Sequence, residues 1–292
     1  MQIELAQTTT DDGVRLDGVV LSPERRKAMP LDALLLVHGT TGNFYGGLMA
    51  SWLGYFRDAD YVVASFNTRG HDIVSRAAPG RTIGTAYEIL DECRLDLDAA
   101  ISWLAGAGYE RIGLLGGSMG AVKVIYYQAH VQDPRVAAVV AVSPVRLSRS
   151  YYLNTEAAEP YQRYYDEARS LLEAGQPNAL LRITEEVVPG QGIFGASAWL
   201  EKYGHEKYNI VSYVHQVACP LLIVAGTLET HPRLRDCARD AFESVRTRKD
   251  CRLVLVEGGS HGVPEFREEL ANTVDQWASE TIQTNVEPSV VS

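Results

Sequence analysis

Short runs of consecutive apolar residues recur along the chain and predict buried β-strands. The clearest runs lie at residues 33–37, 61–66, 112–115, 137–142, 221–225 and 253–256. Because these apolar residues are continuous instead of alternating, both faces of each strand are expected to be covered, as in a parallel sheet between two layers of helices. Nearer the start, residues 3–8 and 14–21 alternate around Asp11-Asp12-Gly13, which predicts an antiparallel hairpin.

Apolar residues spaced by three and four positions predict helices between these strands. One such stripe ends before Gly106 and Gly108 and consists of Ile89, Cys93, Leu97, Ala100, Ile101 and Leu104. Another lies near the end of the chain and consists of Phe266, Leu270, Val274 and Trp277. The alternation of strands and helices predicts an α/β protein with a mostly parallel, doubly wound sheet.

One segment interrupts this alternation. About 75 residues without a convincing strand separate Ser143-Pro144 from Leu221, and they hold eight of the 15 tyrosines. Since a structureless loop of this length is uncommon in a compact domain, we expect a mainly helical cap over the C-terminal edge of the sheet. The expected organisation is a core of residues 1–144 and 216–280, a cap or lid insertion of residues 145–215, and a flexible C-terminal tail of residues 281–292.

The composition narrows the classes of function. The chain has 292 residues, and 37 acidic against 27 basic residues give a formal net charge of −10 at pH 7. This balance disfavours nucleic acid as a partner, because such binding needs clustered lysine and arginine. No apolar run approaches the roughly 20 residues that cross a bilayer, and the first residues lack the features of a signal peptide. We therefore expect no membrane partner and a cytoplasmic localisation.

The four cysteines are far apart in the sequence. A zinc site would need closer spacing with histidine partners, and a disulfide framework would occur in a shorter chain with more cysteines. Buried free thiols are therefore expected, with Cys93 on a helical stripe and Cys219 just before a strand. The sequence predicts no metal site.

The pattern G-x-S-x-G occurs twice and marks two candidate nucleophilic serines. In this pattern a serine lies on a tight turn between a strand and a helix, with its hydroxyl exposed. Ser118 lies in Gly116-Gly117-Ser118-Met119-Gly120, after the strand at 112–115 and before a helical segment. Ser260 lies in a second match at 258–262, but too few residues follow it for an acid and a histidine. The order of the elements favours Ser118 and makes Ser260 a loop residue.

A serine needs a neighbouring base, and the base needs an acid to orient it. His261 follows the strand at 253–256 in a glycine-rich loop, where an imidazole could reach over the edge of the sheet. Glu229 lies three residues beyond Gly226, after the strand at 221–225. It is the predicted acid; Asp236 and Asp240 are the alternatives, in a stretch that reads as helix.

The loop after the strand at 33–37 predicts an oxyanion hole. It reads His38-Gly39-Thr40-Thr41-Gly42, and its glycines would allow the Thr40 N–H to point into the site. Together with the N–H of Met119, it would stabilise a negatively charged oxygen. His38 is interpreted as a brace for this loop and not as a catalytic group.

These motifs, in this order, resemble those of the α/β-hydrolase fold family of serine hydrolases. The resemblance covers residues 30–144 and 215–280, and it implies that the insertion is the cap that varies within the family. It is carried by His38 to Gly42, Asn67-Thr68-Arg69-Gly70-His71, Gly116 to Gly120, the loop at 226–229, and His261. The chain departs from the commoner pattern in having Glu229 where the acid is usually aspartate.

The residues and the resemblance imply an esterase-like serine hydrolase that works without a cofactor. Ser118 would attack the carbonyl of a carboxylic ester and form an acyl-enzyme, with Glu229 and His261 completing the triad. Thioesters, amides and activated carbon–carbon bonds can be cleaved by the same groups and stay as alternatives, as does a non-catalytic ligand receptor of this fold. The expected partner is a small-molecule ester or related acyl substrate, and a homodimer is left open.

Overall fold

An eight-stranded sheet forms the centre of the fold. The computed structural model describes residues 2–25, 27–77, 80–190 and 192–282. The strands in this part of the chain are β1 (Gln2–Thr9), β2 (Arg15–Ser22), β3 (Ala33–Val37), β4 (Val63–Phe66), β5 (Ser75–Ala77), β6 (Arg81–Ile83), β7 (Ile112–Gly117), β8 (Val136–Val142), β9 (Leu180–Ile183), β10 (Gly192–Gly195), β11 (Leu221–Gly226) and β12 (Cys251–Val256).

The central sheet has the strand order β1-β2-β4-β3-β7-β8-β11-β12. β2 pairs antiparallel with both β1 and β4, and every other neighbouring pair is parallel. The predicted N-terminal hairpin and the mostly parallel sheet are therefore confirmed. All six continuous apolar runs lie on strands of this sheet, with ends that differ by up to two residues from the predicted ones.

Helices cover both faces of the sheet, as a doubly wound fold requires. They are α1 (Gly47–Asp58), α2 (Cys93–Gly106), α3 (Met119–Val131), α4 (Arg149–Tyr152), α5 (Ala158–Glu173), α6 (Ala196–Tyr203), α7 (Cys237–Glu243) and α8 (Arg267–Thr281). Alternate residues of β3 enter different cores because strand side chains alternate between faces. Ala33, Leu35 and Val37 pack with α2, α3 and α7, whereas Leu34 and Leu36 pack with α1 and α8.

Three elements were missed by the sequence analysis. Helix α1 buries Met49, Trp52, Leu53 and Phe56, whose helical spacing is the signal that would have revealed it. The hairpins β5–β6 and β9–β10 have strands of only three or four residues, too short for a periodic pattern. The segment between Ser143-Pro144 and Leu221, where the sequence showed no convincing strand, therefore contains β9 and β10 as well as helices.

Residues 145–215 contain three helices and the β9–β10 hairpin, and aromatic side chains pack them together. The rings of Tyr152 and Tyr161 stack with centroids 4.9 Å apart, and those of Trp199 and Tyr203 stack at 4.2 Å. All four side chains are buried. Three of the tyrosines that stood out in the sequence therefore contribute to the internal packing of this segment.

Helix α8 and the four cysteines lie within the described residues. Helix α8 continues to Thr281, so the predicted tail would begin after it, and residues 283–292 of that tail lie outside the described residues. All four cysteines are free thiols; Cys93, Cys237 and Cys251 are buried and Cys219 is half-buried. Among the helices of the described ranges, none combines the length and the apolar content that a membrane crossing needs.

Candidate active site

Ser118 occupies the turn between β7 and α3 in a backbone conformation that few non-glycine residues adopt. Its φ is 57° and its ψ is −121°. The two outer glycines of the motif are required by close packing: a Cβ on Gly116 would lie 2.2 Å from the Gly120 carbonyl oxygen, and one on Gly120 would lie 2.1 Å from that of Val37. The N–H of Ser118 donates to the Val142 carbonyl oxygen at 2.9 Å, which ties the turn to β8.

The side chains of Ser118, His261 and Glu229 form one continuous line of contacts. His261 Nε2 lies 3.0 Å from Ser118 Oγ, and His261 Nδ1 lies 3.3 Å from Glu229 Oε1. The Glu229 side chain is 5% exposed, whereas that of His261 is 37% exposed and faces the entrance of the site. With the proton on Nδ1, the imidazole donates to the carboxylate and presents Nε2 to the serine hydroxyl as an acceptor.

Two loops at the C-terminal edge of the sheet deliver the acid and the histidine. The loop after β11 carries Glu229 and the loop after β12 carries His261, and they join where the Leu228 N–H donates to the Gly259 carbonyl oxygen at 3.0 Å. Ser143, at the end of β8, accepts a hydrogen bond from the Gly262 N–H at 2.9 Å. Ser143 is buried and fixes the residue next to His261, a role that the sequence analysis did not identify.

The alternative residues have other partners. Asp240, on α7, pairs with Arg146 of the loop after β8, with 2.5 Å between Nη2 and the carboxylate oxygen. Asp236 precedes α7 with a φ of 59°, a conformation that aspartate tolerates better than most residues. The hydroxyl of Ser260 donates to Glu265 at 2.7 Å, in the loop after β12. The geometry therefore joins Glu229 and Ser118 to His261 and places Asp236, Asp240 and Ser260 in other local interactions.

A cavity of about 470 Å³ lies beside Thr40 and beside Ser118, the residue that precedes Met119. Its lining includes Thr40, Ser118 and His261, with Leu48 and Met49 among the apolar residues. In the described part of the chain, no acceptor takes a hydrogen bond from the N–H of Thr40 or Met119. Two unpartnered amides beside a nucleophile can stabilise an oxyanion.

His38 braces the Thr40 loop, as predicted. Its Nδ1 lies 3.0 Å from the Gly39 carbonyl oxygen and its Nε2 accepts the Thr68 N–H at 3.0 Å, so the proton is on Nδ1. Burial, together with the nearby charge of Lys123, lowers the pKa of His38 to about 3. The imidazole therefore stays neutral and holds both bonds at ordinary pH.

A buried ion cluster extends this brace toward α6. Glu88 lies between Lys123, at 2.6 Å, and Lys202, at 2.9 Å, and the Lys123 ammonium also donates to Thr68 Oγ1 at 2.9 Å. Burial alone would raise the pKa of Glu88, but the two ammonium groups outweigh it and hold that pKa well below its usual range. The sequence did carry a signal for Lys123, which is the one charge in the apolar stretch of residues 119–127.

The fold of this chain is similar to that of known proteins. A profile of the alpha/beta hydrolase fold matches residues 32–188, which is more than half of the chain. No curated protein is significantly similar in sequence.

Several solved structures share the fold. The alpha/beta hydrolase GrgF from Penicillium sp. sh18 is 16% identical, with a TM-score of 0.71 over 97% of this chain and 99% of its own. The Pyrococcus furiosus esterase Pf2001 is 19% identical, with a TM-score of 0.64 over 97% and 91%. Est1E from Butyrivibrio proteoclasticus, with ferulic acid bound, is 17% identical, with a TM-score of 0.65 over 95% and 99%. At these identities the likeness shows a common fold.

Proposed function

The chain belongs to the alpha/beta hydrolase fold family, and on that basis we propose that it is a serine hydrolase that cleaves a carboxylic ester of a small molecule. The observation that carries the proposal is the contact line from Ser118 through His261 to Glu229, with separations of 3.0 and 3.3 Å. A nucleophile, a base and an orienting acid in this order are the groups that acyl transfer needs. One structural neighbour, the Pyrococcus furiosus Pf2001 protein, is named an esterase, which agrees with this assignment.

In the first half-reaction, Ser118 Oγ attacks the ester carbonyl carbon while its proton passes to His261 Nε2. The carbonyl π electrons move onto oxygen, and the Thr40 and Met119 amides stabilise the resulting anion. Glu229 accepts the Nδ1–H and stabilises the imidazolium without taking its proton. When the intermediate collapses, the bond to the alcohol oxygen breaks, and His261 Nε2–H protonates the departing alkoxide.

The second half-reaction repeats these steps with water. His261 Nε2 removes a proton from the water, whose oxygen attacks the acyl carbon. The same amides hold the oxyanion, and collapse breaks the bond to Ser118 Oγ, which recovers its proton from the imidazolium. The acid product then leaves the cavity, whose apolar lining of Leu48 and Met49 suits the acyl or alcohol chain.

We assign the cap role to residues 145–215. Two contacts support this assignment: Lys202 Nζ donates to the Thr85 carbonyl oxygen at 2.9 Å, and His231 Nε2 lies 2.9 Å from the Glu185 carbonyl oxygen. The first contact joins the segment to the core before α2, and the second joins it to the loop that carries Glu229. The segment is therefore attached beside the catalytic loops, and we expect it to influence substrate choice from there.

The test is steady-state turnover by the full chain. p-Nitrophenyl esters of increasing acyl length would be compared with matched thioesters and anilides, with Ser118→Ala and Ser260→Ala as paired variants. We expect ester turnover by the wild type and by Ser260→Ala, and a loss of at least about 10³-fold in Ser118→Ala. Ligand binding without turnover would support the receptor reading, and preferred cleavage of the thioesters or anilides would move the assignment to those bonds.

A further inference from the structure

Arg233 differs from the other buried charges of the protein. In the described part of the chain, eight charged residues are buried over backbone and side chain together: Arg69, Glu88, Asp96, Lys123, Asp133, Arg146, Lys202 and Arg233. Seven of them form ion pairs within 3 Å. Arg233 is 4% exposed and has no carboxylate partner in those residues. Buried charges are rare unless they are paired, so an unpaired one calls for a compensating group.

The Arg233 guanidinium reaches the loop of the proposed oxyanion hole. Its Nη2 donates to Thr40 Oγ1 at 3.1 Å, and its Nε is buried without an acceptor in the described structure. The guanidinium carbon lies 5.7 Å from the centre of the Tyr203 ring. Thr40 lines the cavity beside Ser118, so the guanidinium lies behind Thr40 and is joined to the cavity through the threonine hydroxyl.

The backbone of Arg233 is held from two sides. Its N–H donates to His231 Nδ1 at 3.0 Å, and its carbonyl oxygen accepts the Arg146 N–H at 2.6 Å. His231 in turn contacts the Glu185 carbonyl oxygen at 2.9 Å. The loop that carries Glu229 therefore also presents Arg233 in a fixed position, and one segment serves both ends of the proposed site.

Neither Tyr203 nor Glu88 supplies a negative charge to Arg233. Burial raises the pKa of Tyr203 more than the Arg233 charge lowers it, so the Tyr203 hydroxyl stays protonated. Glu88, whose charge also influences Tyr203, already faces both Lys123 and Lys202. In the described residues, a buried guanidinium without an ion-pair partner therefore lies next to Thr40. The anion that the proposed reaction creates forms at the Thr40 amide.

We propose that Arg233 is a positioning residue of the oxyanion hole, which acts through Thr40. The contact at Thr40 Oγ1 fixes the orientation of the Thr40 N–H, and the nearby guanidinium charge favours the oxyanion over the neutral carbonyl of the bound substrate. The charge is in place before the reaction begins, so the transition state gains more from it than the ground state does. This inference rests on the proposed function.

The experiment measures the rate constant at which an uncharged alkyl fluorophosphonate labels Ser118, which needs no knowledge of the natural substrate. We expect Arg233→Gln to react about 10- to 100-fold more slowly than the wild type, less than or equal to the loss for deleting a direct oxyanion donor. Arg233→Lys, which keeps a charge, should recover part of this loss. Arg135→Gln is the control, because it removes a half-buried guanidinium that pairs with Asp98 and Asp133 just before β8, and it should react within about twofold of the wild type.

A second variant tests the route through Thr40 without removing the charge. Thr40→Val deletes the hydroxyl that accepts from Arg233, and Thr40→Ser keeps it. We expect slow labelling of Thr40→Val, near-normal labelling of Thr40→Ser, and a double variant Arg233→Gln/Thr40→Val that is little slower than either single variant. On a p-nitrophenyl ester, kcat should fall in Arg233→Gln while KM stays within about twofold.

The outcomes separate the two proposals. A wild type that is not labelled at Ser118 would remove the proposed function and this inference together. A reactive wild type whose Arg233→Gln and Thr40→Val variants are labelled equally fast would overturn the inference alone. The inference also fails if Arg233→Gln keeps the labelling rate but raises KM only for esters that carry a carboxylate, because Arg233 would then be a substrate-binding group.

Discussion

Lys202 and Glu88 form an ion pair that is closed to solvent, with 2.9 Å between Nζ and Oε2 and side chains that are 1% and 2% exposed. Lys202 belongs to α6, and the same carboxylate also contacts Lys123 of α3, the helix that begins directly after Ser118. One buried carboxylate therefore joins the segment of residues 145–215 to the helix that follows Ser118. This segment is attached to the core by charge as well as by apolar packing.

We expect replacement of Glu88 to lower the free energy of unfolding more than replacement of Lys202. Glu88→Gln would leave two buried ammonium groups without a countercharge, and the free energy of unfolding should fall by about 3–5 kcal/mol. Lys202→Met would leave Glu88 paired with Lys123 and should lower it by less than about 2 kcal/mol. Urea unfolding of both variants at pH 7 measures the difference, and a larger loss in Lys202→Met would contradict the ion cluster described here.

We expect a single reactive serine. A fluorophosphonate should modify Ser118, because His261 Nε2 lies 3.0 Å from its hydroxyl, and should leave Ser260, whose hydroxyl donates to Glu265. Mass spectrometry of the labelled peptides identifies the site. Ser260→Ala should be labelled at the wild-type rate. An adduct on Ser260, or full labelling of Ser118→Ala, would refute the assignment of the nucleophile.

Removal of the acid should reduce turnover without unfolding the protein. Glu229→Gln keeps the size of the side chain but loses the carboxylate that orients His261, so kcat should fall by about 10³–10⁴-fold. Asp236→Asn is the matched control, because asparagine also tolerates the positive φ at that position, and it should stay active. Near-normal activity in Glu229→Gln, together with an inactive but folded Asp236→Asn or Asp240→Asn, would show that the acid is another residue.

His38 should make the protein less stable in acid. Burial lowers its folded pKa to about 3, whereas an unfolded histidine titrates near 6.5. As the pH falls below about 6.5, the unfolded chain binds a proton that the folded chain does not. The free energy of unfolding should then fall by about 1.4 kcal/mol per pH unit from this group.

The control for this effect is His38→Gln, which has no titrating imidazole. Urea unfolding between pH 7 and pH 5 should show a shallower decline for His38→Gln than for the wild type, whatever their difference at pH 7. Parallel declines would indicate that the buried imidazole takes up a proton in the folded state.

The fold and the candidate reacting groups could be predicted from the sequence because local patterns encode them. The limits of β3 agree with the predicted run of residues 33–37. Polar residues on both sides of a continuous apolar run mark where the strand begins and ends. The spacing of Gly116 and Gly120 reflects a steric requirement of the turn and can be recognised without a structure. The structure brings Ser118, Glu229 and His261 together, and their catalytic roles stay predictions.

The supporting residues could not be found in the same way. Ser143 lies 119 positions from the amide that it holds, and Arg233 lies 193 positions from Thr40. Such pairs follow from the tertiary arrangement of strands and loops, and neither residue belongs to a local motif. Only Lys123 left a trace, as a charge in an otherwise apolar helix. The candidate reacting groups are therefore easier to recognise in a single sequence than the residues that orient them.

The backbone of Ser118 implies a conflict between durability and reactivity. Its φ of 57° and ψ of −121° are unfavourable for a residue with a Cβ, at a cost of about 1–3 kcal/mol. Glycine adopts positive φ freely, so Ser118→Gly should melt at a higher temperature than the wild type even though it cannot form an acyl-enzyme. A screen for thermal stability alone would therefore favour variants that have lost Ser118, the proposed nucleophile. Laboratory evolution of this chain needs selection for turnover at every round.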